Sequence, residues 1–350
     1  MKRRAFITLL GGATAAWPLA ARAQQPAMPV IGYLSVGAPV TRQFEIFKLT
    51  LAEAGLVEGR NVAIETPSAN GQYDRLPALA AGLVRRQVAV IVAITANPAL
   101  AAKEATATIP IVFNVADDPV ELGLVASLAR PGGNATGVSF LFNDLVGKHL
   151  GLLRELLPRA ARIGLLVNPQ NANADTLSKN ATAAAASTGT EIIVFRASDA
   201  GAIEDAFAAL TRQAADALIV GADGYFFRRR VQLAMLSARH AVPTVFTTRD
   251  YAEAGGLMSY GTSLPEAFRM TALYTTRILK GAKPADLPVV QSTKFDFVIN
   301  VPTARALGLE LPPTLLARAD EVITVLPSPE RRFRHFQFDG PARQVHPPAS

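Results

Sequence analysis

The chain has 350 residues, a formal net charge of +7 and no cysteine. The absence of thiols excludes disulfides, thiolate metal sites, a cysteine nucleophile and lipid attachment through cysteine. The positive charge is concentrated in the first 23 residues and after residue 325. Because the body between them is nearly neutral, binding to nucleic acid is not expected.

The first 23 residues have the pattern of an export signal. Lys2, Arg3 and Arg4 precede a short apolar run, and the small side chains around Arg22 form a site for cleavage after Ala23. The paired arginines resemble the twin-arginine type, with an ordinary secretory signal as the alternative. The apolar run is too short for a membrane span, which needs about 20 residues. We therefore expect a protein that is free in the periplasm of a Gram-negative cell.

From residue 29 onward, short β-rich runs alternate with alanine- and leucine-rich segments of helical spacing, which is typical of βαβ units on a parallel sheet. In the first half the pattern predicts strands at 30–34, 62–64, 88–93, 109–113 and 136–140, and helices at 44–54, 76–86, 98–105 and 122–128. At the usual ~100–200 residues per domain, the length predicts two lobes.

A second, similar set of elements follows His149. It contains predicted strands at 162–167, 191–195, 217–220 and 244–246, with helices at 172–186, 202–214 and 228–240 between or after them. Residues 257–325 add a strand at 257–260, a helix at 265–279 and a strand at 295–300. The tail 326–350 lacks either periodicity and is expected to be poorly ordered.

Several sequence blocks in this pattern resemble one known family. They are Thr108 to Phe113, Asp118-Pro119-Val120, Gly123 to Gly137, Gly55 to Val62, Glu253 to Gly261, Ile278 to Pro288 and Asn300 to Leu309. Together they resemble the ABC-transporter substrate-binding proteins of the tryptophan/tyrosine-binding type over about residues 29–323.

The resemblance implies an α/β fold of two doubly wound parallel-sheet lobes of the type I periplasmic-binding-protein kind, joined by hinge crossovers. It places 29–140 with about 262–287 in the first lobe and 141–260 with about 291–323 in the second lobe. The crossovers are expected near 140–144, 261–263 and 287–293. A ligand would then lie in the cleft between the lobes.

Candidate ligand-binding residues of the first lobe follow its predicted strands, because the carboxyl ends of parallel strands gather polar groups. They are Ser35, Thr95, Asn97, Asn114 and Asp118. Thr95 and Asn97 begin a predicted helix whose N–H groups suit a carboxylate. The alternative for both residues, and for Asp118, is an ordinary helix cap.

The second lobe contributes Asp223, Tyr225, Arg249 and Tyr260. The resemblance implies that an acid in the loop of Asp223 pairs with a ligand amino group, while the nearby aromatic rings suit stacking. A capping role for Asp223, a surface ion pair for Arg249 and a place in the core or at the hinge for the aromatic residues remain alternatives.

The sequence contains no Gly-x-Ser-x-Gly elbow, Walker sequence, nucleotide fingerprint or histidine pair at metal-ligand spacing, so no enzymatic activity, metal or cofactor is expected. The resemblance implies the solute-binding component of an ABC importer. It would bind an amino acid or another small carboxylate, aromatic ligands included, as a monomer and deliver it to a permease with its ATPase subunit. The alternative is a periplasmic sensing module for a membrane signalling partner.

Overall fold

The computed structural model describes residues 28–39, 42–140 and 142–325, and the side chains of 142–144 are not among the described parts. The predicted export signal at 1–23 and the predicted tail at 326–350 lie outside these residues. Within the described ranges, no helix combines the length and the apolar character that crossing a membrane requires.

Strands and helices alternate along most of the chain. The strands are β1 Val30–Leu34, β2 Ala63–Glu65, β3 Val90–Ile94, β4 Ile111–Val115, β5 Ala135–Ser139, β6 Arg162–Val167, β7 Glu191–Arg196, β8 Ala217–Val220, β9 Thr244–Phe246, β10 Met258–Thr262, β11 Val290–Gln291, β12 Phe295–Asn300 and β13 Glu321–Ile323. The helices are α1 Arg42–Glu53, α2 Leu76–Arg85, α3 Ala96–Ala105, α4 Phe142–Leu156, α5 Ala174–Ala186, α6 Ala200–Arg212, α7 Gly224–Arg228, α8 Arg230–Arg239, α9 Arg249–Glu253, α10 Leu264–Leu279, α11 Val301–Ala306 and α12 Pro313–Arg318.

The first lobe is built on a parallel sheet. Across the described residues its six strands run in the order β11-β5-β4-β3-β1-β2. Its central strands are short runs of Val, Ile and other apolar residues that are buried along their length, as expected of a parallel sheet covered by helices on both faces. Helices α1 and α10 pack against each other, and helices α2 and α3 form a second packed pair. The two pairs contribute to different apolar clusters, each of which includes residues of the first sheet.

The second lobe has a sheet of seven described strands in the order β13-β12-β10-β9-β8-β6-β7. The pairing of β10 with β12 is antiparallel, whereas the other pairings in this sheet are parallel. The antiparallel strand is β12, which the chain reaches from β11 of the first lobe. Because the chain enters the second sheet from the other lobe at this point, β12 runs in the direction opposite to β10.

The described chain passes between the two sheets three times: between β5 and α4, between β10 and α10, and between β11 and β12. Helix α4 packs on α5 and on strands of the second sheet, while α10 packs on α1 and on strands of the first. Each lobe is therefore completed by chain that arrives from the other, and the carboxyl ends of the two sheets can line a common cleft.

The helix predicted across residues 122–128 is wrong, because this segment consists of turns. Gly123 has a φ of 71° and the Leu124 N–H is bonded to the Pro119 carbonyl, so the chain reverses instead of continuing in helical geometry. Leu124 and Val125 are nevertheless buried in the core. The apolar spacing thus predicted burial correctly but not the local conformation.

The helix predicted at 228–240 begins earlier and is divided. Asp223 caps the short helix α7, and α8 follows after Arg229. Because α7 begins directly after the carboxyl end of β8, this change brings its first turn to the edge of the second sheet that faces the first lobe.

Candidate functional site

A cleft of about 170 Å³ lies between the carboxyl ends of the two sheets. Residues from both lobes line it, and much of its wall is apolar. The aromatic members of the wall are Tyr33, Phe140, Phe227, Tyr251 and Phe268. A ligand with an apolar body would therefore be held between surfaces that belong to different lobes.

The first lobe contributes three of the predicted polar residues to this cleft: Ser35, Thr95 and Asn114. The Ser35 hydroxyl donates to the Gly37 carbonyl at 2.5 Å, and the Asn114 side-chain amide donates to the Thr271 hydroxyl at 2.8 Å. These bonds fix both side chains while leaving the Ser35 oxygen and the Asn114 carbonyl oxygen with acceptor capacity.

Thr95 occupies the position before α3 with a φ of 76°, a conformation that is costly for a residue with a branched side chain. Its side chain makes no capping hydrogen bond to the helix. The amides of the first turn of α3 begin at Ala96, which also lines the cleft. This helix end therefore presents N–H donors and a partial positive charge to the cleft.

Two hydroxyls of the second lobe complete this polar set. The oxygens of Thr248 and Thr262 are buried, line the cleft and have no hydrogen-bond partner among the described residues. Thr262 is only 6% exposed. A buried hydroxyl without a partner costs free energy, and a ligand atom placed beside it would recover that cost.

Gly261 explains why these threonines lie close to one another. A Cβ atom at this position would lie 1.8 Å from the Thr247 carbonyl oxygen, so only glycine permits this approach of β10 to the end of β9. The loop of Thr247 and Thr248 is thereby held against the end of the strand that carries Thr262.

Asp223 also lines the cleft, but its carboxylate is fully used within the protein. Within the described chain it accepts hydrogen bonds from five donors: the Tyr73 hydroxyl at 2.6 Å, the side-chain amides of Asn168 at 3.2 Å and Asn171 at 3.0 Å, and the N–H groups of Tyr225 at 2.9 Å and Phe226 at 3.0 Å. Asp223 therefore caps helix α7, which was the alternative to a role in ligand binding.

Asp117 is a second buried acid of the cleft, and it was not among the predicted site residues. Asn173 donates to one of its oxygens. Burial raises the pKa of the Asp117 carboxyl to about 6, with Asn173 acting to lower the pKa and the charge of Asp223 acting to raise it. Its place directly after β4, beside the predicted Asp118, was the feature of the sequence that could have identified it.

Three other predicted residues lie outside the cleft wall but near the contact between the lobes. The Asn97 side chain donates to the Gln170 carbonyl at 2.9 Å and accepts from the Ala172 N–H at 3.2 Å, so it bridges the lobes. Asp118 accepts from the Val120 N–H at 2.7 Å within its own turn. Tyr225 is buried, with the Arg229 guanidinium 5.4 Å from its ring centre.

Arg249 and Tyr260 lie farther from the cleft. The Arg249 guanidinium donates to Glu253 at 2.9 Å and to Glu321 at 2.5 Å, which is the surface ion pairing left open as an alternative. The Tyr260 ring stacks on Phe295 with 5.9 Å between ring centres. The structure therefore brings Ser35, Thr95, Asn114 and Asp223 together at the cleft and places the other five predicted residues elsewhere.

Hydrogen bonds join the two lobes around the cleft. Besides the bonds of Asn97 and the Tyr73–Asp223 and Asn173–Asp117 bonds, the Gln43 side-chain amide donates to Asp250 at 2.8 Å. We call these four connections the interlobe bonds. They describe an arrangement in which the lobes are closed on one another.

The predicted site residues did not include Gln43, Asn171, Thr248 or Thr262, all of which line the cleft. The last two immediately follow or end strands β9 and β10, so the rule that identified Ser35 applies to them too. No such rule identifies Gln43, because it lies on a helix of the other lobe. Among the described side chains, no group of three or more His, Asp or Glu is placed to hold a metal ion.

Comparisons with known proteins support this architecture. A family model described as ABC transporter substrate binding protein matches residues 39–323. A curated protein named tyrosine-binding protein, from Clostridioides difficile (strain R20291), is 26% identical over 264 residues, which are 75% of this chain and 76% of that protein.

Two solved structures are similar over 84% of this chain and 99% of their own. A conserved domain protein from Vibrio cholerae O1 biovar eltor str. N16961 superposes with a TM-score of 0.76 at 29% identity. An ABC domain from Streptococcus pneumonia in complex with L-Trp superposes with a TM-score of 0.75 at 24% identity. The resemblance found in the sequence and the fold class that it implied are both confirmed.

Proposed function

The chain belongs to the family of ABC transporter substrate binding proteins, and from this premise we propose that it is the solute-binding component of an importer. Its ligand is an amino acid or another small carboxylate with an apolar, aromatic or aliphatic, body. The protein binds this ligand in the interlobe cleft and releases it unchanged to a permease that a separate ATPase subunit drives.

The observation that carries this proposal is the pair of buried hydroxyls of Thr248 and Thr262, which have no partner within the described ranges, in a cleft whose opposite wall is the uncapped start of α3. Hydroxyls and helix N–H groups together suit the oxygens of a carboxylate. The aromatic wall suits an apolar body, and relatives described as tyrosine-binding or in complex with L-Trp agree in kind with such a ligand.

We further propose that Ser35, Thr95 and Asn114 contact the ligand from the first lobe. The hinges are the three passages of the chain between the sheets, with the lobe bounds predicted from the sequence. Export of the chain through the signal at 1–23, cleavage after Ala23 and action in the periplasm as a monomer complete the proposal.

Replacing a single hydroxyl tests this assignment. Thr262→Val keeps the shape of the side chain and removes an oxygen that has no hydrogen-bond partner in the part of the chain that the structure describes, so the free protein should lose little stability. Ligand affinity should fall about 3- to 10-fold, as expected for the loss of one hydrogen bond. Isothermal titration with the best ligand from a thermal-shift screen of amino acids and aromatic carboxylates measures this change.

Thr244→Val is the matched control. The buried Thr244 hydroxyl bonds to Ser237 and to the Val242 carbonyl within the second lobe and does not line the cleft. Its loss should lower the melting temperature and leave affinity unchanged. If Thr262→Val binds the ligand as tightly as wild type, the Thr262 hydroxyl does not contact the ligand. A screen in which no amino acid or carboxylate binds would contradict the proposed ligand class.

A further inference from the structure

Two carboxylates are buried in the cleft, and they differ in how far the protein satisfies them. The five donors to Asp223 occupy both of its oxygens. One of these donors is the Tyr73 hydroxyl, which comes from the other lobe. A ligand ammonium could reach Asp223 only by displacing bonds that the protein already makes, so Asp223 acts as a cap and as an interlobe bond.

Asp117 is not satisfied in this way. It is 7% exposed, and in the described part of the chain its carboxylate accepts a side-chain hydrogen bond from Asn173 alone. Besides the cleft, it lines a small adjoining cavity of about 10 Å³, which has room for about one water molecule. A buried carboxylate with donors on one oxygen is an incomplete arrangement.

The charges around Asp117 make this arrangement costlier. The other titratable side chains of the cleft wall are Tyr33, Asp223, Arg228 and Tyr251. Burial raises the pKa of both tyrosines, which therefore stay neutral. Asp223 opposes the ionisation of Asp117, whereas Arg228, whose side chain lies against Gly37 on the cleft wall, does not contribute to the shift of the Asp117 pKa. Among the described residues, no cationic side chain therefore lies next to Asp117.

We propose that Asp117 selects ligands that carry a cationic nitrogen, and that it couples closure of the lobes to the arrival of that charge. This inference rests on the proposed function and deepens it, because it assigns the ammonium-binding role to Asp117 rather than to Asp223. Closing an empty cleft buries an uncompensated negative charge, whereas closing around an ammonium group pairs that charge.

Closure without a ligand should accordingly depend on pH. In the open protein Asp117 is hydrated and keeps the ordinary pKa of an aspartate, whereas closure raises the pKa to about 6. The closed form therefore binds the proton more tightly, so closure is favoured below pH 6 and this contribution is lost as the pH rises above 6. The population ratio of closed to open should rise about 30-fold from pH 8 to pH 4.5.

The first experiment compares ligands with and without the amine. L-tryptophan, L-tyrosine and L-leucine are each titrated beside the same carboxylate lacking the amino group, into wild type, Asp117→Asn and Asp118→Asn. Asp118 is the matched control, because it is the adjacent acid and bonds within its own turn. We expect wild type and Asp118→Asn to prefer the amine by about 10- to 100-fold and Asp117→Asn to lose that preference.

The second experiment needs no ligand. Because the chain has no cysteine, dyes can be attached through Leu49→Cys on α1 and Met235→Cys on α8, which are exposed residues of opposite lobes. Energy transfer should report more closed molecules at pH 4.5 than at pH 8 in wild type and in Asp118→Asn. With Asp117→Asn, or with Asp117→Ala should the first variant fold poorly, the closed fraction should stay constant.

The outcomes separate the inference from the proposed function. Equal binding of amines and their amine-free analogues by wild type, or an amine preference that survives in Asp117→Asn, overturns the inference and leaves the binding cleft in place. If neither class binds, the proposed ligand class fails. The dye measurement then decides the role of Asp117, which is overturned if closure of the free protein does not depend on pH.

Discussion

His149 is a fully buried histidine in the core of the second lobe, on helix α4. Its Nε2 lies 2.6 Å from the Tyr260 carbonyl oxygen, so the ring donates to the backbone of β10. Burial lowers the pKa of His149 to about 4, because the imidazolium form would have to give up its hydration. The imidazole of His149 therefore remains neutral near pH 7.

The pKa of His149 predicts part of the acid sensitivity of the protein. Between pH 6.5 and pH 4 the unfolded chain binds a proton at this histidine and the folded chain does not, so the free energy of unfolding falls as the pH is lowered. The contribution is on the order of 3 kcal/mol across this range. His149→Gln keeps a donor and should show a smaller loss than wild type in urea unfolding at pH 7 and pH 4.

Asp117 contributes in the opposite direction, because the pKa of its carboxyl is raised on folding. The test for His149 therefore compares how much the free energy of unfolding changes between pH 7 and pH 4 in the variant and in wild type. The pH dependence of either protein alone does not isolate the histidine. If His149→Gln loses as much free energy of unfolding as wild type between the two pH values, the histidine is not the group responsible.

The sequence predicted some residues of the site because they obey a positional rule. Ser35, Thr95 and Asn114 lie at the ends of strands that the short apolar runs of the sequence predicted, and the structure places these residues on the cleft wall. The choice between Asp117 and Asp118 needed information that the sequence lacks. Which of two adjacent acids turns into the cleft depends on the backbone direction in the turn at Pro119, and after that turn the sequence predicted a helix at 122–128 where the chain makes further turns.

At the scale of the elements, close contacts between backbones determine how the cleft is shaped. Strands β9 and β10 approach each other at Gly261, where a side chain would overlap the Thr247 carbonyl. The strands themselves were predictable from their apolar runs. The contact was not, since it depends on how closely two neighbouring strands approach at a glycine, and the apolar pattern of a strand does not show that distance.

Gly261→Ala should therefore destabilise the fold and disturb the site together. The added methyl group must move the Thr247 carbonyl, and forced repacking of this kind costs about 1–3 kcal/mol. Thr248 and Thr262 would move apart, so ligand affinity should fall along with the melting temperature. Thermal unfolding and calorimetric titration of the same sample measure both effects.

Gly147→Ala provides the contrasting change on helix α4. This exposed glycine lies in the helix interior, and a Cβ atom there would meet nothing within 4 Å. Alanine should stabilise the protein by about 0.5–1 kcal/mol and leave affinity as it is. Should Gly261→Ala behave like Gly147→Ala, the close approach at Thr247 does not constrain the site.

At the scale of the whole molecule, the interlobe bonds connect ligand binding to the relative position of the lobes. Each bond joins a side chain of one lobe to a side chain or backbone group of the other lobe, so it can form only when the cleft is closed. The two-lobe architecture was predictable from the alternation of strands and helices and from the family motifs. The residue pairs that meet across the cleft could not be predicted, because they depend on how the folded surfaces of the two lobes pack against each other.

Asn97 gives the clearest test of this connection, because it makes two interlobe hydrogen bonds without being part of the cleft wall. Asn97→Ala should lower the closed population and with it the apparent affinity, by about 3- to 30-fold for two bonds of ordinary strength. The loss should appear mainly in the dissociation rate, measured by stopped-flow fluorescence, since ligand entry uses the open form.

Asn61→Ala is the control for Asn97, because Asn61 makes the same kind of paired bonds within one lobe. Its side chain donates to the Gly55 carbonyl at 2.8 Å and accepts from the Val57 N–H at 2.7 Å. This variant should lose stability without a change in dissociation rate. If both variants release ligand at the wild-type rate, the bonds of Asn97 do not hold the lobes closed, and closure depends on contacts made inside the cleft.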